Sequence, residues 1–158
     1  MFPKMRRFKQ QITEEECIEL LQKGRRGVLA VNGLNGYPHA FTMDYIYNEK
    51  DGKLYFHTAK SGYKIDCLKE NEKACFSFRD HGYRREGEWW WCVNSVICYG
   101  RIEMPEMTDE MLEHLRELGR KYYPTKESAD ELAERTKNRV QMLVMTIDHM
   151  TGKFVEEE

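Results

Sequence analysis

The 158-residue sequence lacks a long apolar run of the kind that crosses a membrane. A membrane span needs about 18 consecutive apolar residues, and the first residues also lack the apolar centre of a secretory signal peptide. The 25 basic and 27 acidic residues nearly cancel, so charge gives no reason to expect a nucleic-acid or membrane partner. We therefore expect one cytoplasmic domain that binds neither nucleic acid nor membrane.

Paired cysteines are also missing, because the five cysteines are odd in number and form no CxxC pair. A zinc site or a disulfide framework needs cysteines at paired spacings. In a reducing cytoplasm, thiols within apolar helix and strand patterns remain free. The sequence therefore predicts buried free cysteines, with neither disulfides nor a metal site.

Two catalytic patterns are absent as well. No GxGxxG fingerprint occurs, so a tightly held nicotinamide is not predicted, although NADH or NADPH can still visit as a hydride donor. No serine stands in a nucleophile elbow, and the histidines show no triad spacing. These absences do not exclude redox function, because in flavin enzymes the cofactor carries the chemistry.

The sequence does contain closely spaced, aromatic-rich strand patterns with few intervening helices. Such spacing favours an antiparallel order over parallel crossovers, and closing the sheet protects its apolar edges. We predict one mainly β (α+β) domain, a six-stranded antiparallel barrel that is closed or partly open, with peripheral helices. Residues 1–11 are predicted as an extended arm and residues 154–158 as an acidic tail. The six predicted strands cover residues 28–31, 37–47, 54–57, 74–78, 91–104 and 140–149.

Residues 54–69, LYFHTAKSGYKIDCLK, are the most informative segment. A strand leads through a polar turn into a helix, whose start offers unpaired N–H groups and partial positive charge. Thr58, Ser61, Gly62 and Lys64 add hydroxyls, close backbone approach and a cation, which together predict a phosphate cradle. The simpler interpretations are that Lys64 is a solvated helix lysine and that Thr58 and Ser61 are N-caps.

Four segments resemble one family. They are GYPHAFTMDYIY (36–47), LYFHTAKSGYKIDCL (54–68), SVICYGRIE (95–103) and MTGK (150–153). Together they resemble the pyridoxamine 5′-phosphate oxidase-like FMN-binding split barrels, and most of all the Nim-type branch associated with nitroimidazole resistance. The resemblance implies a split barrel and a homodimer with one FMN at each end of the shared interface.

The resemblance also implies the cofactor contacts. Tyr63 and Lys64 match the positions that reach the FMN phosphate, although an arginine is common where Tyr63 stands. His57 and Thr58 end the strand beneath the cofactor, and Ser95 matches a further contact position. FAD is an alternative cofactor, since it also presents a phosphate to such a cradle. The strand whose backbone lines the flavin ring is matched by Phe41, Thr42, Met43, Asp44 and Tyr45.

Some positions depart from these patterns. The Nim-type strand often carries proline and asparagine where this chain has Thr42 and Asp44. The chain also lacks the arginine- and tryptophan-containing segment with which the true oxidase grips pyridoxal phosphate, so vitamin B6 oxidation is not the expected activity. His39 and His57 are candidates for donation to the flavin or substrate, or are structural.

Three consecutive tryptophans, Trp89, Trp90 and Trp91, cannot all face one core from a strand. We expect at least one of them at the dimer contact and at the wall of the flavin pocket.

Three functions follow from these residues. The first is an FMN-dependent oxidoreductase that passes reducing equivalents from a reduced donor to a small planar acceptor such as a nitroaromatic. The second is a carrier or sensor that binds flavin or haem without turnover. The third is a dimeric interaction domain without a cofactor.

Overall fold

The computed structural model describes residues 1–157 and contains one seven-stranded antiparallel sheet with four α-helices around it. A short 3-10 helix, Phe8–Gln10, precedes them. The α-helices are α1 (Glu14–Lys23), α2 (Tyr63–Glu70), α3 (Asp109–Tyr122) and α4 (Lys126–Thr136). The strands are β1 (Arg26–Asn32), β2 (Pro38–Asp44), β3 (Ile46–Asn48), β4 (Lys53–Ala59), β5 (Lys73–Arg79), β6 (Trp91–Glu103) and β7 (Val140–Glu157).

The strands follow the order β2-β1-β5-β6-β7-β4-β3. This arrangement confirms the mainly β, antiparallel architecture, whereas the predicted count of six strands is wrong. The run predicted as one strand over 37–47 is interrupted at Tyr45. Before Tyr45 the chain pairs with β1, and after it the chain pairs with β4. One apolar stretch thus supplies two ladders, which periodicity alone does not reveal.

The curled sheet encloses the main apolar core. Phe56 and Phe76 meet edge to face at its centre, with Tyr45 beside them. Helix α2 turns Ile65 and Leu68 into this core and so covers one end of the barrel. The sheet is not closed, because β4 pairs with β3 only as far as Tyr55. Residues 56–59 therefore have β7 on one side and the opening on the other.

Helices α3 and α4 pack outside the barrel against β4 and β7. Leu112 and Leu115 of α3 and Ala133 of α4 meet Tyr55 and Met142 in a second apolar cluster. Arg120 joins the two helices through a two-pronged ion pair with Asp130, with Nε and Nη2 at 2.7 and 2.8 Å from the carboxylate oxygens. These helices therefore form a fixed wall beside the barrel opening.

The two ends of the chain lie on the β6–β7 side of the sheet. In the predicted arm, the Phe2 ring stacks on His149 with centroids 4.6 Å apart. The tail predicted over 154–158 is wrong as far as Glu157, because β7 continues there and pairs with the start of β6. Arg79 lies beside Glu157, and Arg85 forms an ion pair with Glu156 next to this ladder. Glu158 lies outside the described residues.

All five cysteines are free, and four of them are buried. Burial raises the pKa of Cys17 to about 11 and that of Cys98 to about 12, so both remain thiols at neutral pH. Within residues 1–157, no helix is long and apolar enough to cross a membrane.

Candidate functional site

The barrel opening exposes one edge of β2. This strand pairs with β1 along its whole length and has no strand partner on its other side. About half of the N–H and C=O groups of an edge strand are free to bind another molecule. The unpaired side of residues 56–59 in β4 faces the same opening. The opening is therefore a slot lined by backbone hydrogen-bonding groups.

One end of the slot is the start of α2. Gly62 is the N-cap, with a φ of 130° that few other residues adopt, and no side chain caps the helix. The interpretation of Thr58 and Ser61 as N-caps is therefore wrong, because Thr58 is still in β4 and Gly62 occupies the capping position. A Cβ on Gly62 would meet nothing within 4 Å. The space beside Gly62 is therefore open, and no hydrogen bond within the described residues uses the N–H groups of Tyr63 and Lys64.

Lys64 lies in the first turn of α2. Its ammonium is 4.3 Å from the centroid of the Phe41 ring, a cation–π contact with the edge strand. No ion pair within the described residues involves Lys64, and its side chain is half-buried rather than fully solvated. The structure therefore places a cation without a carboxylate partner among the described residues beside the uncapped helix start.

Aromatic rings hold this end of the slot together. The His39 ring lies 5.2 Å from Phe41 and 5.0 Å from Tyr63, measured between centroids. The Tyr63 hydroxyl accepts a hydrogen bond from the Leu34 N–H at 3.0 Å. His39 is thus packed among aromatic side chains, and Tyr63 ties the β1–β2 turn to α2 while its hydroxyl proton remains free to be donated.

The other end of the slot opens into a pocket of about 240 Å³ beneath α3 and α4. Its walls are mainly apolar, with Leu115, Leu118 and Leu132 from the helices, while Asp44 and His57 face it from the barrel. We call this space the helix pocket. It is large enough for a small organic molecule.

Desolvation lowers the pKa of His57, and the nearby Asp44 carboxylate opposes this change only in part. His57 is therefore a neutral imidazole at neutral pH. The Asp44 carboxylate accepts a hydrogen bond from Arg26 Nε at 2.7 Å. The helix pocket thus presents a neutral ring and a paired carboxylate to its contents.

Tyr45 marks where β2 ends and its backbone is already bound. Its N–H donates to the Tyr122 hydroxyl at 2.9 Å, and its carbonyl accepts from Lys121 Nζ at 3.1 Å. The Tyr122 hydroxyl also lies within hydrogen-bonding distance of the Tyr45 and Arg25 carbonyls. Of the predicted residues 41–45, only those before Tyr45 therefore have backbone on the open edge.

Sequence reasoning missed Arg26, Lys121, Tyr122 and the helix pocket. Two of these residues stand at the end of α3, 76 and 77 positions after the backbone that they bind. Only the placement of an aromatic and a lysine at a helix end next to Pro124 hinted at a special role.

Ser95 is not part of the slot within one chain. It lies on β6, opposite Lys153 of β7, and three steps of the sheet separate β6 from β2. It lines a different cavity, which the N-terminal residues Pro3 and Lys4 also border. Of the other predicted residues, His39, Phe41, Tyr63 and Lys64 contact one another at one end of the slot, and Asp44 and His57 line the pocket at the other end.

The three consecutive tryptophans at the start of β6 do not all face the core. Trp89 and Trp91 are 69% and 40% exposed, whereas Trp90 is mostly covered. The Arg84 guanidinium lies 4.8 Å from the Trp91 ring. Two large aromatic surfaces are therefore available for contact outside the chain.

The order of chemical groups along the slot suits an elongated ligand. A cation and free N–H groups stand at one end, a backbone edge runs along the middle, and an apolar pocket lies at the far end. Asp44 lies three residue steps after Phe41, or about 10 Å further along the strand. A long molecule with a phosphate at one end and a planar, hydrogen-bonding ring at the other matches this order.

Comparison with solved structures shows the same fold in other proteins. One is described provisionally as a 5-nitroimidazole antibiotic resistance protein of Bacteroides thetaiotaomicron, at 21% identity and a TM-score of 0.74, covering 93% of this chain and 87% of that one. A conserved hypothetical protein of Mycobacterium tuberculosis has 17% identity and a TM-score of 0.79, with 95% and 90% covered. A FAD-binding protein of Mesorhizobium loti has 22% identity and a TM-score of 0.66, with 92% and 97% covered.

A search of curated proteins returns no match. The family model described as pyridoxamine 5′-phosphate oxidase matches residues 13–154, which is most of the chain. This match agrees with the split-barrel type of fold. The chain therefore belongs to the pyridoxamine 5′-phosphate oxidase family.

Proposed function

We propose that this protein is a flavin-dependent oxidoreductase that binds FMN, or FAD, in the β2 slot and reduces a small planar acceptor such as a nitroaromatic. The observation that carries the proposal is the position of Lys64. An unpaired ammonium beside an uncapped helix start, at one end of a free strand edge, is suited to a phosphate on a ring system. Family membership and flavin-binding structural neighbours support the same ligand.

The residues of the slot have separate roles in this proposal. Lys64, the α2 N–H groups and the hydroxyls of Thr58 and Ser61 hold the phosphate. The free edge of residues 41–44 orients the ring through backbone hydrogen bonds. When bound, the flavin supplies hydride transfer, which no side chain of the chain can supply.

The helix pocket is the proposed site of the acceptor. Its apolar helix residues exclude water from a small planar molecule. His57, whose lowered pKa favours the neutral imidazole, can donate a hydrogen bond through its ring N–H to a group that gains negative charge during reduction. The Asp44 carboxylate, which is paired with Arg26, lies near the His57 imidazole and is proposed to help orient that ring.

The proposal includes a homodimer. Ser95 and the exposed Trp89 and Trp91 lie away from the slot of their own chain. In a homodimer they can reach the slot of the partner, where Ser95 would contact the flavin and an indole would narrow the pocket. This arrangement agrees with the role that the family resemblance implies for Ser95.

Two measurements test the function. Mass spectrometry of the small molecule released on denaturation should identify FMN or FAD. Stopped-flow mixing with NADH or NADPH without oxygen should then bleach the flavin absorbance, and a nitroimidazole should restore it. A protein that binds flavin but is not reduced by any donor would be a carrier. A colourless protein that ignores added flavin would contradict the proposal altogether.

A further inference from the structure

A second cavity, with no assigned role, lies behind the Arg26–Asp44 ion pair. It measures about 650 Å³ and lies between the end of α1, the start of β1 and the end of β5. Its floor is apolar, formed by Leu20 and Phe78. Its rim is basic, and we call it the basic cleft. The rim residues are Lys23, Arg25, Arg26, Arg79 and His81.

Most of the positive charge on this rim is weakly paired. The ion pairs of Lys23 with Glu19 and of Arg79 with Glu157 are both 3.8 Å long and exposed to solvent. Such pairs are weak and exchange easily for a better anion. The Arg25 guanidinium lies over the Tyr122 ring, 4.9 Å from its centroid, and is in no ion pair within the described residues.

The one carboxylate that lines the basic cleft is already occupied. Asp80 accepts hydrogen bonds from the N–H groups of Gly82 and Asn94 at 3.0 Å and from the Asn94 side-chain amide at 2.9 Å. These donors are neutral, so they fix the carboxylate in place and leave its negative charge unchanged. Among the residues that line the cleft, four cationic side chains therefore face a single carboxylate; the cations are Lys23, Arg25, Arg26 and Arg79.

The floor of the basic cleft is rigid. Gly24 is buried there, and a Cβ at this position would collide with the Tyr45 hydroxyl and the Phe78 ring. A planar apolar surface below a ring of cations suits a base or ring that carries phosphate groups. It does not suit an uncharged acceptor.

We propose that the basic cleft binds the diphosphate group of a dinucleotide. The inference rests on the proposed function for its choice of dinucleotide, since a flavin enzyme needs a reduced donor. Arg26 belongs to the cleft and its ion-pair partner Asp44 to the helix pocket. A nicotinamide dinucleotide held by its diphosphate in the cleft therefore lies next to the end of the slot where the flavin ring is proposed.

The same diphosphate chemistry has a second source, the adenosine end of FAD. That end extends from the flavin phosphate, which is proposed at Lys64. The cleft lies beyond Asp44, about 10 Å further along β2. The geometry thus favours the donor, and the experiment distinguishes the two sources.

The test uses the purified full chain and a charge-reversed double variant, Lys23→Glu/Arg79→Glu. Both side chains are exposed and neither belongs to the slot. The control is Lys50→Glu/Lys126→Glu, which makes the same charge change at exposed positions elsewhere. Isothermal titration with ADP, which has the diphosphate but neither nicotinamide nor flavin, measures diphosphate binding, and the comparison of the two double variants assigns that binding to the cleft. Affinities for FMN and FAD and the KM for NADPH are measured on the same proteins.

We expect ADP affinity to fall about tenfold or more in the cleft variant and to stay within about twofold in the control. FMN affinity should not change. If the cleft variant has a higher KM for NADPH and an unchanged ratio of FAD to FMN affinity, the diphosphate in the cleft is that of the nicotinamide donor. If the cleft variant loses affinity for FAD and nothing else changes, the diphosphate in the cleft is that of FAD.

The inference is overturned if wild-type protein does not bind ADP at millimolar concentration, or if both variants bind it equally. A protein that binds ADP in the cleft but no flavin would refute the proposed function while leaving the diphosphate site in place. The two proposals can therefore fail separately.

Discussion

The two ends of β2 differ in how completely their polar groups are bound. At the Lys64 end the helix is uncapped, the lysine contacts the Phe41 ring and forms no ion pair within residues 1–157, and the space beside Gly62 is open. At the Tyr45 end the backbone N–H and C=O are both bound by the end of α3. The polar groups are thus hydrogen-bonded at the Tyr45 end of the strand and free to bind a ligand at the Lys64 end.

This difference separates binding from support. Polar groups that bind only a ligand contribute little to folding, because they remain hydrated in both the folded and the unfolded protein until the ligand replaces the water. Groups that are already paired hold the slot in shape and should matter for stability. Substitutions at the Lys64 end should therefore change ligand affinity, and substitutions at the Tyr45 end should change stability.

The largest effect is expected from Lys64→Ala. Loss of the charge-assisted contact with the phosphate should weaken FMN binding by about 1.5–3 kcal/mol, while the unfolding free energy changes little. Fluorescence titration of FMN measures the affinity. Lys69→Ala is the matched control, an exposed lysine at the other end of α2. Equal FMN affinity in the two variants would remove Lys64 from the phosphate site.

The two histidines provide the second contrast along the slot. His57 faces the helix pocket, whereas His39 packs against Phe41 and Tyr63. His57→Phe should slow reduction of a nitroaromatic about tenfold to hundredfold, because a hydrogen-bond donor is lost at the acceptor. FMN affinity should stay unchanged. His39→Phe is the control and should change the rate by less than about threefold.

The result that would contradict this assignment is a slower rate in His39→Phe with a normal rate in His57→Phe. The pH profile gives a further check. Because desolvation places the His57 pKa below its ordinary value of 6.5, the rate should show no His57 titration above about pH 7.

The open end of the slot could be predicted from sequence, whereas the closed end could not. Thr58, Ser61, Gly62 and Lys64 lie within seven residues, so their chemistry is visible as one local motif. The family match confirms the kind of fold to which that motif belongs. Local spacing was sufficient because strand, turn and helix start follow one another directly.

The closed end depends on contacts between distant parts of the chain. Tyr122 reaches Tyr45 across 77 positions, and the interruption at Tyr45 exists only because two different strands pair on its two sides. The apolar pattern reads continuously through it. The end of β7 was missed for a related reason, since its glutamates look solvated until Arg79 and Arg85 are placed beside them.

Tyr122→Phe tests the support role of the closed end. Without the hydroxyl, the Tyr45 N–H loses its acceptor, and the Tyr45 and Arg25 carbonyls lose a shared donor. We expect a loss of about 1–2 kcal/mol in unfolding free energy, measured by urea denaturation. For a chain of this size each kcal/mol lowers Tm by about 2–4 °C. Tyr123→Phe, at an exposed neighbouring tyrosine, should leave stability unchanged. Equal loss in both variants would contradict the role.

The smallest expected effect is a dependence of stability on pH that comes from Lys121. Burial, together with the charge of Arg25, lowers its pKa in the folded protein from 10.5 to about 8, and Asp44 opposes this in part. Between those values the unfolded chain binds more protons than the folded one, so stability due to this group rises with pH. Below about pH 8 both states are charged and the dependence vanishes.

Lys121→Met should remove this rise. The unfolding free energy of the wild type minus that of the variant should therefore increase by about 1 kcal/mol between pH 7.5 and 9.5, after the partial exposure of the side chain is taken into account. Urea denaturation at several pH values measures it, and the subtraction cancels the thiols and phenols that titrate in both proteins. A difference that stays constant or falls over this range would mean that Lys121 keeps its charge with no penalty. The closed end of β2 would then be more open to water than its hydrogen bonds indicate, and the contrast with the Lys64 end would weaken.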